Sequence, residues 1–307
     1  MAADLQTNDE WTVHSINIHG VFFERWCQQI ISEAEGWNLD SVNYPVEFPP
    51  ANGPIRGKES ALDIRASRDF SDHRTCLLIE CKKNNPDFVD WVFFQKPNER
   101  LTQGFNISQV ENKLRTTPVQ GWDTESNINT YMSSYVVADE ARETRGNYIE
   151  YSERKSKTKT SNAAIQEAAI QISLAKQAVV SEDAAYCQRV LVQSPSAEIP
   201  WSRKIYFPII VTTARLLVCQ FDSKAVVPAT GEIAATETSL AEREALVYEY
   251  TLPRHLQFSP LNVVDSYKEG LTDTFTRQHI LVVQSKHFPN FLRTFYNAEA
   301  ASTKVPS

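Results

Sequence analysis

The residues with the clearest chemical potential are Asp63 in SALDIRA and Glu80 with Lys82 in TCLLIECKK. Glu80 and Lys82 are two positions apart on what reads as a strand, so their side chains leave it on the same face. If the preceding strand pairs antiparallel with it, Asp63 can approach the end of that strand, given a register offset or a bulge. Two carboxylates a few ångströms apart repel and raise each other's proton affinity unless a cation lies between them. Hard oxygen ligands with open water positions suit Mg²⁺ or Mn²⁺. A lysine beside them can hold an attacking water or stabilise charge on a phosphorane-like transition state. The expected chemistry is phosphodiester hydrolysis, with Asp63 and Glu80 as metal ligands and Lys82 as their catalytic partner. The bland alternative is a strand that ends in solvated charged residues, since Glu-x-Lys alone is a weak signal.

The elements around these residues read as mixed α/β. Phe23, Trp26, Cys27, Ile30 and Ala34 fall on one face of a helix from Gly20 to Glu35, and Asn43 to Phe48 reads as a short strand. Ser60 to Ala66 alternates Leu62 and Ile64 against Asp63 and Arg65, the period of a strand with one buried face. Thr75 to Cys81 is a continuous apolar run, as in a strand covered on both faces. Residues 84–160 are polar and interrupted by prolines, and read as an insertion with local structure around Trp91 to Phe94 and Tyr131 to Val137. Ser161 is placed to cap a helix to about Val180, with Ile165, Ala168, Ala169, Ile172, Ala175 and Val179 on its apolar face. Tyr206 to Phe221 then reads as a buried strand or strand pair. Glu244 to Leu252 and His279 to Gln284 follow as strands, and His287 to Ala300 as an amphipathic helix.

LLIECKK with the upstream aspartate resembles the PD-(D/E)XK nuclease superfamily, of restriction-endonuclease-like fold. The resemblance covers only about Gly20 to Lys83 and Ser161 to Phe221. It implies a core ordered α-β-β-β-α-β, here a mixed central sheet flanked by helices with a large insertion after the third core strand. On this reading 10–221 form the core with insertion 84–160, and 222–307 complete the same domain. Asp63 matches the family's metal-binding aspartate, Glu80 the second ligand and Lys82 the catalytic lysine. A glutamate on the first helix often joins such sites, which Glu24 could match, and Gln166 is the best-placed match to a glutamine that some members carry on the later helix. Leu62 stands where the motif's name has proline, which lowers its specificity.

Other features bound the function more loosely. The 307 residues carry 38 Asp plus Glu against 31 Lys plus Arg, a net charge of −7, which disfavours indiscriminate binding to nucleic acid or anionic membranes. Within that acidic total, Arg142, Arg145, Arg154, Lys155, Lys157 and Lys159 form a basic run that either tracks a phosphate backbone or is a solvated linker. Tyr148 and Tyr151 lie within it and could stack on bases. Lys176 falls near the centre of an apolar helix face, where it either snorkels or meets an anion. Five cysteines without a CxxC pair read as buried thiols in a reducing compartment. The acidic, polar start and the absence of any apolar run of about 18 residues point to the cytoplasm and away from membranes. No HExxH, GxSxG or GxxxxGK[ST] motif is present, so zinc-histidine, serine-hydrolase and ATP-motor functions are not expected on this chain.

The expected function is therefore an Mg²⁺- or Mn²⁺-dependent endonuclease acting on DNA, with RNA an open alternative. Acting as the effector of a defence or restriction system with a partner ATPase would fit a chain that lacks its own motor. A homodimer would suit a double-strand cutter, which needs two sites. The rival expectation is a non-catalytic nucleic-acid- or protein-binding module on the same fold.

Overall fold

A computed structural model describes residues 9–13, 15–17, 20–46, 60–70, 73–84, 88–96, 105–111, 119–123, 132, 134–144, 163–193, 203–253, 256 and 277–302. After an N-terminal helical segment the chain forms α1 (Val21–Glu33), β1 (Asn38–Val46), β2 (Ser60–Asp69) and β3 (Arg74–Lys82). β4 (Asp90–Gln95), β5 (Phe105–Glu111), β6 (Val119–Asp123) and β7 (Val137–Thr144) come next, followed by α2 (Ala163–Gln193). β8 (Arg203–Thr212), β9 (Arg215–Phe221), β10 (Thr238–Arg243), β11 (Ala245–Thr251), β12 (Arg277–Gln284) and α3 (Phe288–Ser302) complete it. The strands join in one mixed sheet, in the order β1-β2-β3-β8-β12-β11-β7-β4-β9-β10, with β5 on β8 and β6 on β5.

β1, β2 and β3 are an antiparallel meander, and β8 runs parallel to β3 over the full length of both, from Arg74 opposite Lys204 to Lys82 opposite Thr212. A parallel neighbour needs a long crossover, and α2 supplies the helix for it. Strands covered on both faces should be apolar throughout, and β3 and β8 are buried along nearly their whole length. On one face Leu78, Tyr206, Ile210, Val218, Leu246, Ile280 and Val282 pack with Ile165, Ala168, Ile172, Ala175 and Val179 of α2. The small alanines allow the helix to lie close to the sheet. On the other face Ile64, Leu77, Ile79, Phe207, Ile209, Leu281 and Val283 pack with Cys27 and Ile31 of α1 and with Phe288, Leu292 and Phe295 of α3. Phe207 and Phe295 meet edge-to-face with centroids 4.9 Å apart, and each such buried ring contributes about 1.5–3 kcal/mol. All five cysteines are free and buried.

The structure adds to the expectations at three places. Within residues 84–160, β4 covers the structure expected around Trp91 to Phe94 and lies between β7 and β9 in the main sheet, with Trp91 and Phe93 in the core. Leu62 and Ile64 do not share a face: Leu62 packs in the α2 layer and Ile64 in the α1–α3 layer. The two-residue alternation therefore breaks across Asp63. Between the β1–β2 rungs Val42–Ile64 and Tyr44–Leu62 lies Asn43, at φ 49°, a left-handed backbone that asparagine tolerates better than most residues. Finally, Ser161 lies outside the described residues, and the amides of Ala164 and Ile165 donate instead to the Glu143 carboxylate of β7, at 2.7 and 3.0 Å. An anion there complements the positive end of the helix.

Candidate acidic site at the end of β3

The β2–β3 ladder ends at Ile64 opposite Ile79, one residue short of Asp63 and Glu80. Beyond that rung the backbone amide of Cys81 donates to Asp63 Oδ2 at 2.7 Å, so a side chain replaces the missing strand partner. The break in alternation at Asp63 is thus the irregularity needed to bring its carboxylate to the Glu80–Lys82 end of β3. Thr213 closes this end from the β8 side. Its amide donates to the Lys82 carbonyl at 3.3 Å, its hydroxyl accepts from the Asn84 amide at 2.9 Å, and that hydroxyl donates to Asn84 Oδ1.

Glu80 is 3% exposed, and Lys82 Nζ lies 2.9 Å from its Oε1. The same ammonium donates to Gln171 Oε1 of α2 at 2.8 Å. Burial, then the Asp63 charge, pushes the Glu80 carboxyl up to about 8 despite Lys82. Burial also pushes Asp63 up to about 6, against the lowering effect of the Cys81 amide and with a further push from Glu24. For Lys82, burial alone would lower the proton affinity. The Glu80 carboxylate and its hydrogen bond outweigh burial and raise it, with Glu167 and Asp63 adding to the effect. The corner holds more negative charge than its one ammonium compensates.

Among the described residues no three His, Cys, Asp or Glu side chains form a ready cation cage. The donor chemistry of the Asp63–Glu80 pair nonetheless fits a hard divalent ion. Both donors are carboxylates, and burial, with the neighbouring acidic charge added, makes both bind protons more tightly than usual.

Asp63, Glu80 and Lys82 are thus brought together, and Glu24 of α1 is half-buried and close enough to act on both carboxylates. Gln166 is not part of the site: it is exposed, and Gln171 takes the position on Lys82. Five residues rotate a helix by about 140° beyond a full turn, which is why the earlier glutamine faces away. The spacing could have found Gln171, which is three residues from Ala168 and four from Ala175 on the flank of the apolar face. Arg142 is not a free phosphate ligand, because it is a β7 residue whose guanidinium pairs with Glu140. Arg145, Tyr148, Tyr151, Arg154, Lys155, Lys157 and Lys159 lie outside the described residues. Among the described residues Lys176 Nζ has no hydrogen-bond partner: the residue is 1% exposed, and burial lowers it to about 7.

No family model, curated protein or solved structure matches the chain. The class defined by the chain's own structure is a mixed α/β protein with a large mixed sheet flanked by helices. No described helix is long and apolar enough to cross a membrane.

Proposed function

We propose that the chain is a metal-dependent nuclease of restriction-endonuclease-like fold that hydrolyses DNA phosphodiester bonds. The observation that carries this reading is the meeting of Asp63, Glu80 and Lys82 at one buried corner, where two carboxylates of raised proton affinity share one ammonium. Its support from the fold is the order α1-β1-β2-β3 and, after the four strands β4 to β7, α2-β8, with β8 parallel to β3.

Asp63 and Glu80 would hold Mg²⁺ or Mn²⁺, which when bound supplies a Lewis acid for the phosphoryl oxygen and lowers the pKa of a bound water. Lys82 keeps its charge because Glu80 raises its proton affinity, so it acts as a fixed cation rather than a base. Its ammonium is aimed by two acceptors, Glu80 Oε1 and Gln171 Oε1. The remaining donor capacity of the ammonium can orient a water or a phosphate oxygen. The Cys81 amide fixes one Asp63 oxygen and leaves the other for a ligand. Burial removes competing water, which strengthens each of these interactions.

The direct test is incubation of the purified protein with plasmid DNA and Mg²⁺ or Mn²⁺, beside Asp63→Ala, Glu80→Ala and Lys82→Ala. Cleavage by the wild type and its loss in all three variants is expected. Equal cleavage by all four proteins would overturn the reading. The Lys82–Glu80 ion pair favours a second reading, a non-catalytic binding module, because the ammonium already neutralises one carboxylate. Salt-sensitive DNA binding without cleavage in either metal would mark that alternative.

A further inference from the structure

The two ends of the sheet are built differently. At one end β1 carries Pro45, a register shift between Leu39 and Ser41, and Asn43 at positive φ. All three features spoil a strand as a template for further pairing. At the other end β10 pairs with β9 through six consecutive rungs, Thr238–Phe221 to Arg243–Leu216, without a shift. Its other edge pairs with no strand among the described residues. β10 contains neither proline nor lysine, and Leu240 at its middle is 59% exposed.

An apolar patch accompanies that edge. Directly paired residues share a face, so Leu240 lies with Cys219, and Thr238 with Phe221. Phe221 is 46% exposed and meets Phe94 edge-on, at 6.3 Å between centroids. Phe94 in turn packs on the small cluster Val92, Leu217 and Cys219. The patch thus runs from the sheet interior to the free edge.

We infer that β10 is a dimerisation edge on which a second copy of this chain adds its own β10, antiparallel, about a two-fold axis through Leu240. Such an isologous contact closes on itself and produces a dimer, not a fibre. Charge selects the occupant and the register. With the axis at Leu240, this leucine faces the partner's Leu240, Thr238 faces the partner's Glu242, and Arg243 comes level with the partner's Glu237, which ends the 3-10 turn just before β10. Glu237 and Arg243 are both exposed, and the pairing occurs twice by symmetry. Moving the axis half a residue toward Ala241 leaves Arg243 opposite the partner's Thr238. Moving it a full residue sets Leu240 against the partner's Glu242. Only the first register joins apolar to apolar and opposite charges to each other. The inference does not depend on the proposed nuclease activity, because β10 and the acidic corner share no residue.

One six-residue strand pair is a small interface, so the dimer is expected to be weak and visible at about 100 µM chain while dissociating on dilution. Sedimentation equilibrium of the full chain tests this, with folding checked by circular dichroism. The expected result is reversible association to twice the 34.9 kDa chain mass. Leu240→Lys sets like charges on the axis and should abolish association, and the exposure of that side chain predicts normal folding. Arg243→Glu should weaken the dimer about tenfold, and adding Glu237→Arg should restore it, because only pairing between copies reverses with a double swap. A monomer at about 100 µM, a dimer indifferent to Leu240→Lys, or a double swap that fails to restore association would each overturn the inference.

Discussion

Helix α2 links two buried charged clusters that differ in their balance. Toward its C-terminal half Asp183 accepts from Arg65 at 3.0 Å, Lys204 at 2.9 Å and the Tyr206 hydroxyl at 2.7 Å. There one carboxylate meets two cations and a phenol, and every partner is anchored on a strand. Nearer its N-terminus Gln171 holds Lys82 against Glu80, with Asp63 and Glu24 adding negative charge. In that corner the carboxylates outnumber the cations. In the first cluster the carboxylate is matched by cations, although Arg65 Nε, 4.0 Å from Asp40 Oδ2, has no hydrogen-bond partner among the described residues. The second leaves two carboxyls with raised proton affinity, a state that a bound cation would relieve. A shortfall of positive charge in a partly buried cluster is what marks this corner, and not the Asp183 cluster, as the candidate site.

The largest expected contrast is between catalysis at one end of α2 and stability at the other. Lys82→Ala should lower the cleavage rate by about three orders of magnitude, with a smaller effect on unfolding in urea. Asp183→Ala should cost about 3–5 kcal/mol, because it strands Arg65 and Lys204, yet leave the specific rate of the folded fraction unchanged. If Asp183→Ala instead abolished the specific rate while the fold persisted, the two clusters would not be separable.

The balance argument also has a pH signature. The folded-state pKa of Glu80 is raised to about 8 from the ordinary 4.5. The folded protein thus binds a proton that the unfolded chain has released, and metal-free stability falls as the pH rises from about 4.5 to about 8. Glu80→Gln should remove that fall and stabilise the metal-free protein by about 2–4 kcal/mol at pH 8. Thermal melts of both proteins in chelator at pH 5 and 8 would show it, and parallel pH dependences would contradict it.

Lys176 extends the comparison to a buried ammonium with no hydrogen-bond partner among the described residues. Burial lowers its folded pKa to about 7 from 10.5. The unfolded chain binds more protons between these values, so this residue makes stability rise with pH across that window. Lys176→Met should raise stability by about 2 kcal/mol at pH 7 and flatten the slope between pH 7 and 10, read from urea midpoints. The smallest effect is expected at Gln171. Gln171→Leu should slow cleavage about tenfold through loss of ammonium alignment, while Gln171→Glu, which keeps an acceptor, should be less affected.

Much of this arrangement was legible in the residues. Apolar periodicity located α1, β2, β3 and the final helix to within a few positions, and the start but not the end of α2, which continues past the expected Val180 to Gln193. The Glu80–Lys82 face followed from strand geometry. β4 was anticipated only as local structure around Trp91 to Phe94, and most of β7 was obscured because Asp139, Glu140, Arg142 and Glu143 interrupt its apolar pattern. The face switch at Asp63 has no local signature: it depends on Asn43 of a neighbouring strand and on a ladder that stops at Ile64. Gln171 rather than Gln166 follows from the rotation of α2 over the sheet, which tertiary packing sets. The Asp183 cluster was missed for the same reason, since Arg65, Asp183, Lys204 and Tyr206 are far apart in sequence and meet only across three elements.

The most direct test of the central claim is a Mn²⁺ titration followed by electron paramagnetic resonance, with free Mn²⁺ as the signal, on the wild type, Asp63→Asn and Glu80→Gln. One bound ion per chain in the wild type, greatly weakened in both variants, is the predicted result. Binding of equal strength in all three, or none in the wild type, would contradict a cation site shared by Asp63 and Glu80.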